Sequence, residues 1–395
     1  MAASGVCCPL VARFRVGAAV AVVSVCCLLA ALAVTGSGRP AGVSSGEIAF
    51  DSGEGNCPFV CNVEVMNGDG SGRHRVARGF LPTWSLDGSR LAFWGPWKYS
   101  ARLTVLDLRT GRSRQFSRAD PDHTIVTPAW SPDGSRLAFV TLDGGKADLS
   151  VVTLSDGRVT RLVSLVWLAS YDNYPSLPSP VAWSPDGGSI VYTAPSGQLA
   201  AVPASGGSPS VLISNPLGGN PAFSPDGSMI AFDSGWRLYV ANSDGSNPRQ
   251  LFPGATPNNN IGSVPGPPLR WSNDGSQIAY GEVREQCGYS FIACDAGGRP
   301  CPRPGHLCAG TAIVRVAVSD GTAEPLLPLQ QADLANPSWS PNDHWLVFND
   351  GDAISRVRED GTCLRRLAGD IRGKRYSPRD PVWRPGAGSP PDACS

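Results

Sequence analysis

Histidine is scarce in this chain: of 395 residues only His74, His123, His306 and His344 are histidines, and they form no spaced cluster. A metal-dependent lyase or lactonase needs His and carboxylates converging on one point, so no metal is expected, and no motif asks for another cofactor. Neither sign of charge is in excess, since Lys+Arg 33 balances Asp+Glu 33 for a formal net charge of zero. With no net basic field to collect counterion-release energy, nucleic acid is excluded as a partner. Charged residues are only 17% of the chain and hydrophobic ones 42%, too apolar a balance for disorder. C-x-x-C is absent as well, which removes the commonest zinc spacing. The stretch Asn67-Gly68-Asp69-Gly70-Ser71-Gly72 opens like a calcium loop, but Arg78 stands where the twelfth-position glutamate belongs, so a plain turn is expected.

What is plentiful is turn-forming residues, Gly 46 and Pro 36, as many short strands joined by turns require. The first 35 residues read as a signal peptide or signal anchor: Arg13 and Arg15 precede an uncharged run from Val16 to Val34. That run is nearer a bilayer span than a signal core, while Ala31-Leu32-Ala33 offers a small-x-small cleavage site, so secretion and single-span anchoring both stand. Either way the rest of the chain is expected outside the cytoplasm. Residues 36–46 are a Gly/Ser/Pro-rich linker, 47–385 the folded domain and 386–395 a tail.

One phrase organises the folded domain: an aromatic, Ser-Pro-Asp-Gly, then an apolar triplet ending in Phe or Tyr. It recurs around Trp84, Trp130, Trp183, Phe223, Trp271 and Trp339, at spacings of 46, 53, 40, 48 and 68 residues. Such spacings bracket the ~40 to 50 residues of a four-stranded propeller blade. Ser first, Pro second and Gly fourth suit a type I turn between the first two strands, and later Asp-Gly turns supply the third and fourth. Two halves are left over, Glu47-Ile48-Ala49-Phe50 without a first strand and Pro381-Val382-Trp383 without a second. Joined, they make a seventh blade, so an all-β, seven-bladed propeller closed by its own termini is expected. The seven aromatics, including Trp383, are assigned to the core between blades.

The phrase Trp130-Ser131-Pro132-Asp133-Gly134 with Leu137-Ala138-Phe139 resembles the TolB-like propeller repeat, a relative of WD repeats, over nearly all of 47–385. Departures are local: Leu86 and Asn273 replace the proline, and Asn342-Asp343 shifts the turn in blade seven. The α/β domain that TolB itself places before a six-bladed propeller has no room here, so the resemblance implies the repeat family and not the TolB role. Propellers of similar repeat also precede prolyl-oligopeptidase-like hydrolase domains, but no strand-turn-helix nucleophile elbow is legible and ten residues follow Pro385. Sialidase boxes are excluded because glycine follows aspartate directly, as at Asp186-Gly187.

Binding is therefore the leading expectation: a scaffold for a protein or glycan partner, presenting the loops opposite the Ser-Pro-Asp-Gly turns. The candidate binding residues on that upper face are Trp94, Trp97, Tyr99, Trp167, Tyr171, Tyr174, Arg372, Lys374 and Arg375. No catalytic residue is assigned. The alternative is a channel-centred enzyme acting on a glycan or small ester, which carboxylates with His or Arg at the channel mouth would favour. In an oxidising compartment eight cysteines read as disulfides: Cys57 with Cys61, two within Cys287, Cys294, Cys301 and Cys308 of an insertion at 284–310 in blade six, and Cys363 with Cys394. The last pairing follows from topology, because the strand after Cys363 and the tail after Trp383 both start at the lower face.

Overall fold

Each repeat folds into the hairpin its side chains dictate, and the third blade shows how. Gly134 N–H donates to the Ser131 carbonyl at 2.8 Å, and Gly134 sits at a φ of 66°, where a Cβ would be strained. Ser131 Oγ donates to Asp133 Oδ1 at 2.6 Å and accepts from Arg136 N–H at 2.9 Å. Asp133 in turn accepts from Ser135 N–H at 3.0 Å and Ser135 Oγ at 2.7 Å. The turn thus carries its own polar network, repeated around Ser85, Ser184, Ser224 and Ser272. In the last repeat the turn is not shifted. Asp343, at a φ of 60°, occupies the glycine position, and its N–H donates to the Ser340 carbonyl at 3.0 Å. An Asp tolerates that backbone region better than most residues with a Cβ.

The computed structural model describes residues 46–53, 61–95, 101–119, 128–143, 146–166, 180–214, 218–234, 237–252, 268–285, 292–293, 300–301, 309–327, 334–351, 353–369, 379–386 and 394. The chain divides at Arg39/Pro40, and the second unit holds seven four-stranded antiparallel sheets. From the inside outward, blade 1 is Arg379–Trp383, Glu47–Gly53, Cys61–Asn67 and His74–Arg78. Blade 2 is Phe80–Trp84, Arg90–Trp94, Ala101–Asp107 and Arg112–Ala119, and blade 3 is Ala129–Trp130, Arg136–Asp143, Lys146–Thr153 and Val159–Val166. Blade 4 is Ala182–Trp183, Ser189–Thr193, Leu199–Pro203 and Ser210–Ile213, and blade 5 is Gly218–Phe223, Met229–Ser234, Arg237–Asn242 and Arg249–Phe252. Blade 6 is Arg270–Trp271, Gln277–Glu285, Ala309–Ala317 and Ala323–Pro325, with a small hairpin of Ile292–Ala293 and Pro300–Cys301 inserted. Blade 7 is Leu334–Trp339, Trp345–Asp350, Ala353–Arg358 and Arg365–Gly369.

Closure is as the two half-phrases require. Ile48 stands opposite Trp383 and Ala49 opposite Val382, so blade 1 takes its innermost strand from the C-terminal end. Each innermost strand touches the next around the full circle, including Leu334–Trp339 with Arg379–Trp383 and Arg379–Trp383 with Phe80–Trp84. The hydrophobic core lies between blades: Leu149 of blade 3 packs with Trp183, Ile190 and Val202 of blade 4. Trp345 and Val347 of blade 7 likewise meet Ile48, Phe50 and Trp383 of blade 1. Burial at this scale, ~25 cal/mol per Å² of apolar surface, is what holds separate sheets into one ring.

Two devices refine the blade contacts. Trp130 Nε1 donates to the Thr83 carbonyl at 3.2 Å, Trp183 Nε1 to Ala129 at 3.0 Å, Trp271 Nε1 to Ala222 at 2.9 Å and Trp339 Nε1 to Arg270 at 3.0 Å. Trp84 Nε1 makes the same bond across the closure, to the Val382 carbonyl at 3.1 Å. An arginine then reaches forward from three blades: Arg90 over the Trp130 ring, Arg136 over Trp183 and Arg384 over Trp84. Each also donates to the carbonyl of a turn glycine in the next blade, Gly134, Gly187 and Gly88 respectively.

The two faces differ. On the lower face five residues separate Trp84 from Arg90, and the same number separates Trp130 from Arg136, Trp183 from Ser189 and Trp339 from Trp345. On the upper face the gaps reach 15 residues between Val166 and Ala182, 17 between Phe252 and Arg270 and 23 between Glu285 and Ala309.

Candidate functional site

The innermost strands line the axis of the ring, and four of them bulge at the same place, three residues before the aromatic. Leu81, Asn220, Asn336 and Asp380 have φ values of 55°, 49°, 53° and 51°. Strand pairing slips beside them, between Phe80 and Thr83, Gly219 and Ala222, and Ala335 and Ser338, and opposite Asp380 between Ala49 and Asp51. Each is followed by a proline, Pro82, Pro221, Pro337 or Pro381. Proline offers no ladder N–H and restricts the residue before it, which suits a bulge and not a regular strand. Left-handed backbone costs residues with a Cβ ~1 to 2 kcal/mol, least for Asn and Asp, so Leu81 is the outlier.

Polar side chains gather where the strain sits. Leu81 N–H donates to Asp51 Oδ2 at 3.0 Å, across the boundary between blades 1 and 2. Asn220 Nδ2 donates to Asp233 Oδ2 at 3.2 Å, and Asn336 Nδ2 to Asp380 Oδ1 at 2.6 Å. Burial pushes the Arg270 guanidinium below its usual value, and the Asp380 carboxylate opposes that shift. Arg270 belongs to blade 6 and Asp380 to blade 1, so their interaction spans the innermost strand of blade 7. Burial also raises the Asp233 carboxyl, against the Asn220 hydrogen bond, and its buried Oδ1 has no hydrogen-bond partner among the described residues. The four bulges, with Asp51 and Asp233, lie toward the upper end of the ring, because the innermost strands run downward into the turns and the second strands run up from them; Arg270, next to Trp271, starts nearer the lower turn and interacts with Asp380 from there. The set can donate to and accept from hydroxyls, and it can pair with a carboxylate through Arg270.

The sequence-assigned residues divide sharply. Trp94 is fully buried and meets Phe139 edge-to-face with ring centroids 5.8 Å apart, so it is a core residue and not a surface anchor. Pairing runs one residue past the apolar triplet, with Phe80 opposite Trp94 and Trp94 opposite Leu103, and strand alternation turns the indole inward. Trp97, Tyr99, Trp167, Tyr171, Tyr174, Arg372, Lys374 and Arg375 lie outside the described residues. Trp84, Trp130, Trp183, Trp339 and Trp383 are buried, while Phe223 and Trp271 are half-buried at the same position. Cys363 and Cys394 form a disulfide with Cα atoms 5.2 Å apart. Cys61 is also disulfide-bonded, whereas Cys57, Cys287, Cys294 and Cys308 lie outside the described residues and only the backbone of Cys301 is within them. The Asn67 to Gly72 stretch is a turn, with Asp69 Oδ1 accepting from Ser71 N–H at 2.8 Å. Among the described residues no group of three or more His, Cys, Asp or Glu is placed to hold a metal. The letters of a nucleophile elbow do occur, at Gly42-Val43-Ser44-Ser45-Gly46, but a strand, Glu47–Gly53, follows where the elbow needs a helix.

The channel-mouth residues escaped sequence reading, although a signal exists: Asn or Asp before Pro, three residues ahead of the aromatic, at Asn220, Asn336 and Asp380.

Residues 42–235, about half the chain, match the family described as the TolB beta propeller domain. This half belongs to the TolB β-propeller family. Beyond residue 235 the aromatic-led phrase recurs, with local departures, at Trp271 and Trp339, and the four-stranded blades continue to the closure at Trp383. No curated protein matches the chain. Among solved structures, TolB from Acinetobacter baumannii superposes with a TM-score of 0.52 at 19% identity, covering 86% of this chain and 67% of that one. A protein provisionally assigned as a 6-phosphogluconolactonase, from Bacteroides uniformis, gives 0.56 at 16% identity, covering 86% and 100%. One of unknown function from Desulfotomaculum acetoxidans gives 0.50 at 11% identity, covering 85% and 99%. Identities this low establish a shared fold and nothing finer.

Proposed function

We propose that this TolB-like propeller works outside the cytoplasm as a binding scaffold for a protein or glycan, engaging its partner through the upper face. The supporting observation is the asymmetry of the ring. Lower turns are short, uniform and closed by their own hydrogen bonds, while the upper connections vary from one residue between Arg78 and Phe80 to 23 between Glu285 and Ala309, at the end of the ring where the strained, polar bulges lie. Strained, incompletely satisfied groups persist where surrounding structure over-determines them, and they cluster at ligand sites. In this reading Trp97, Trp167 and Tyr171 anchor the partner, and the N-terminal apolar run either delivers the domain by cleavage or retains it at the membrane.

The test replaces Trp97, Trp167 and Tyr171 together by Ala and follows both partner capture by the full chain and its melting midpoint. Lost capture with unchanged melting supports the scaffold. Lost stability with unchanged capture overturns it.

The channel also favours a second reading, an enzyme acting on a glycan or small ester, because Asp233 and Asp380 lie toward its mouth and Arg270 interacts with Asp380. Turnover of such a substrate that disappears in Asp380→Asn and Asp233→Asn, with capture intact, would establish that reading instead.

A further inference from the structure

The balanced charge of the whole chain conceals a polarised circumference. The outermost strands of four consecutive blades, Arg365–Gly369 of blade 7, His74–Arg78 of blade 1, Arg112–Ala119 of blade 2 and Val159–Val166 of blade 3, contain eight arginines and no Asp, Glu or Lys. The outermost strands of blades 4, 5 and 6 contain one arginine, Arg249, and one glutamate, Glu324.

Some of these arginines are spent within the fold. Arg114 stacks on Phe116 and donates to the Leu154 and Ser155 carbonyls, tying blade 2 to blade 3. Arg161 and Arg366 pair with Asp148 and Asp350. Arg75, Arg78 and Arg112 differ: all are exposed, and they form no ion pair among the described residues. They occupy the neighbouring edges of blades 1 and 2.

We propose that this edge of the ring docks against an anionic phospholipid surface. A convex row of outer strands offers no concave pocket for a small ligand, whereas a flat surface meets two adjacent blade edges at once. Guanidinium groups match phosphate oxygens in a planar, two-bond geometry that ammonium groups do not reproduce. The position in the chain agrees, since the polypeptide enters the ring through blade 1, eleven residues of linker (36–46) after a segment read as a membrane signal or anchor. Eleven residues can span at most ~35 Å, so retention of that segment in a membrane would leave an edge of the ring within reach of its surface. The inference does not depend on what the upper face binds.

The experiment uses the full chain and vesicles of phosphatidylcholine alone or mixed with an equal amount of phosphatidylglycerol, at low and high salt. Binding should contain a phosphatidylglycerol-dependent, salt-sensitive part, over any part due to the apolar N-terminal run. The triple variant Arg75→Gln, Arg78→Gln, Arg112→Gln should lose about a hundredfold in that part, at about fivefold per arginine, with an unchanged melting midpoint. The corresponding Lys variant keeps the charge without the two-bond geometry and should fall between wild type and the Gln variant. An equal phosphatidylglycerol dependence in wild type and the Gln variant overturns the proposal. So does binding of both to neutral and anionic vesicles alike. A soluble anionic polymer that binds in an arginine-dependent way while vesicles do not would overturn it too, by assigning the edge to a polymer.

Discussion

At the scale of single residues, the turn aspartates show how a local network sets both shape and titration. The Ser131 and Ser135 hydroxyls and the Ser135 N–H hold the Asp133 carboxyl down at about 2. Its unfolded value is ~3.9, so the stabilisation is complete above that pH and is lost as pH falls toward the folded value. Carboxyl NMR should find Asp133 still ionised at a pH where ordinary aspartates have taken up a proton. Asp233 has the opposite sign. Burial raises its carboxyl, so the native state binds the proton more tightly than the unfolded chain and stability declines as pH rises above the unfolded value. Asp233→Asn should therefore raise the melting midpoint at neutral pH and flatten its decline with pH, and a midpoint lowered at neutral pH would refute this. Trp130 tests the indole bond separately from the ring's bulk. Trp130→Phe, which leaves the Thr83 carbonyl without its donor, should cost about 1 kcal/mol in denaturant melts. Trp130→Ala should cost about 3 to 5 kcal/mol through the cavity it opens.

At the scale of elements, the blade is legible because each strand pair is local. The Ser-Pro-Asp-Gly phrase sits between two strands that its own residues align, and the apolar triplet sets which face is buried. Bulges are less legible. Whether Asn220 or Leu81 adopts a left-handed backbone depends on a partner supplied by another strand, Asp233 in the same blade or Asp51 in the preceding one. Removing that partner should expose the dependence: Asp51→Ala, which strips the acceptor from Leu81 N–H, should destabilise the ring by about 1 to 3 kcal/mol. Hydrogen exchange at Leu81 should accelerate in the same variant, and unchanged protection there would show that the bulge is held by other contacts. Trp94 illustrates the same limit, since one further residue of pairing moved it from expected loop to core.

At the scale of the whole molecule, the ring is one closed unit whose last strand comes from the far end of the chain. Deleting residues from Asp380 onward removes the innermost strand of blade 1, with its Ile48 to Trp383 and Ala49 to Val382 pairing, and should abolish cooperative melting. A truncated protein that melts with an unchanged midpoint would disprove closure. The Cys363 to Cys394 disulfide encloses that closing strand within a separation of 31 residues. Replacing both cysteines by Ser should cost about 3 to 4 kcal/mol, read from denaturant melts under non-reducing conditions. Peptide mapping without reductant should recover Cys363 joined to Cys394.

The blade number, the hairpin turns of the regular repeats and the terminal closure were determined by the sequence itself, because a repeat states the same local rule many times and leaves its two unmatched halves visible, and the topology that follows brings Cys363 to Cys394. Tertiary structure alone decided the rest. The indole bonds, the arginines stacked over the next blade's tryptophan, the polar channel mouth and the basic edge each join residues tens or hundreds of positions apart. No local pattern encodes which side chain a neighbouring blade will present; that is set only when the ring closes and brings each sheet against the next.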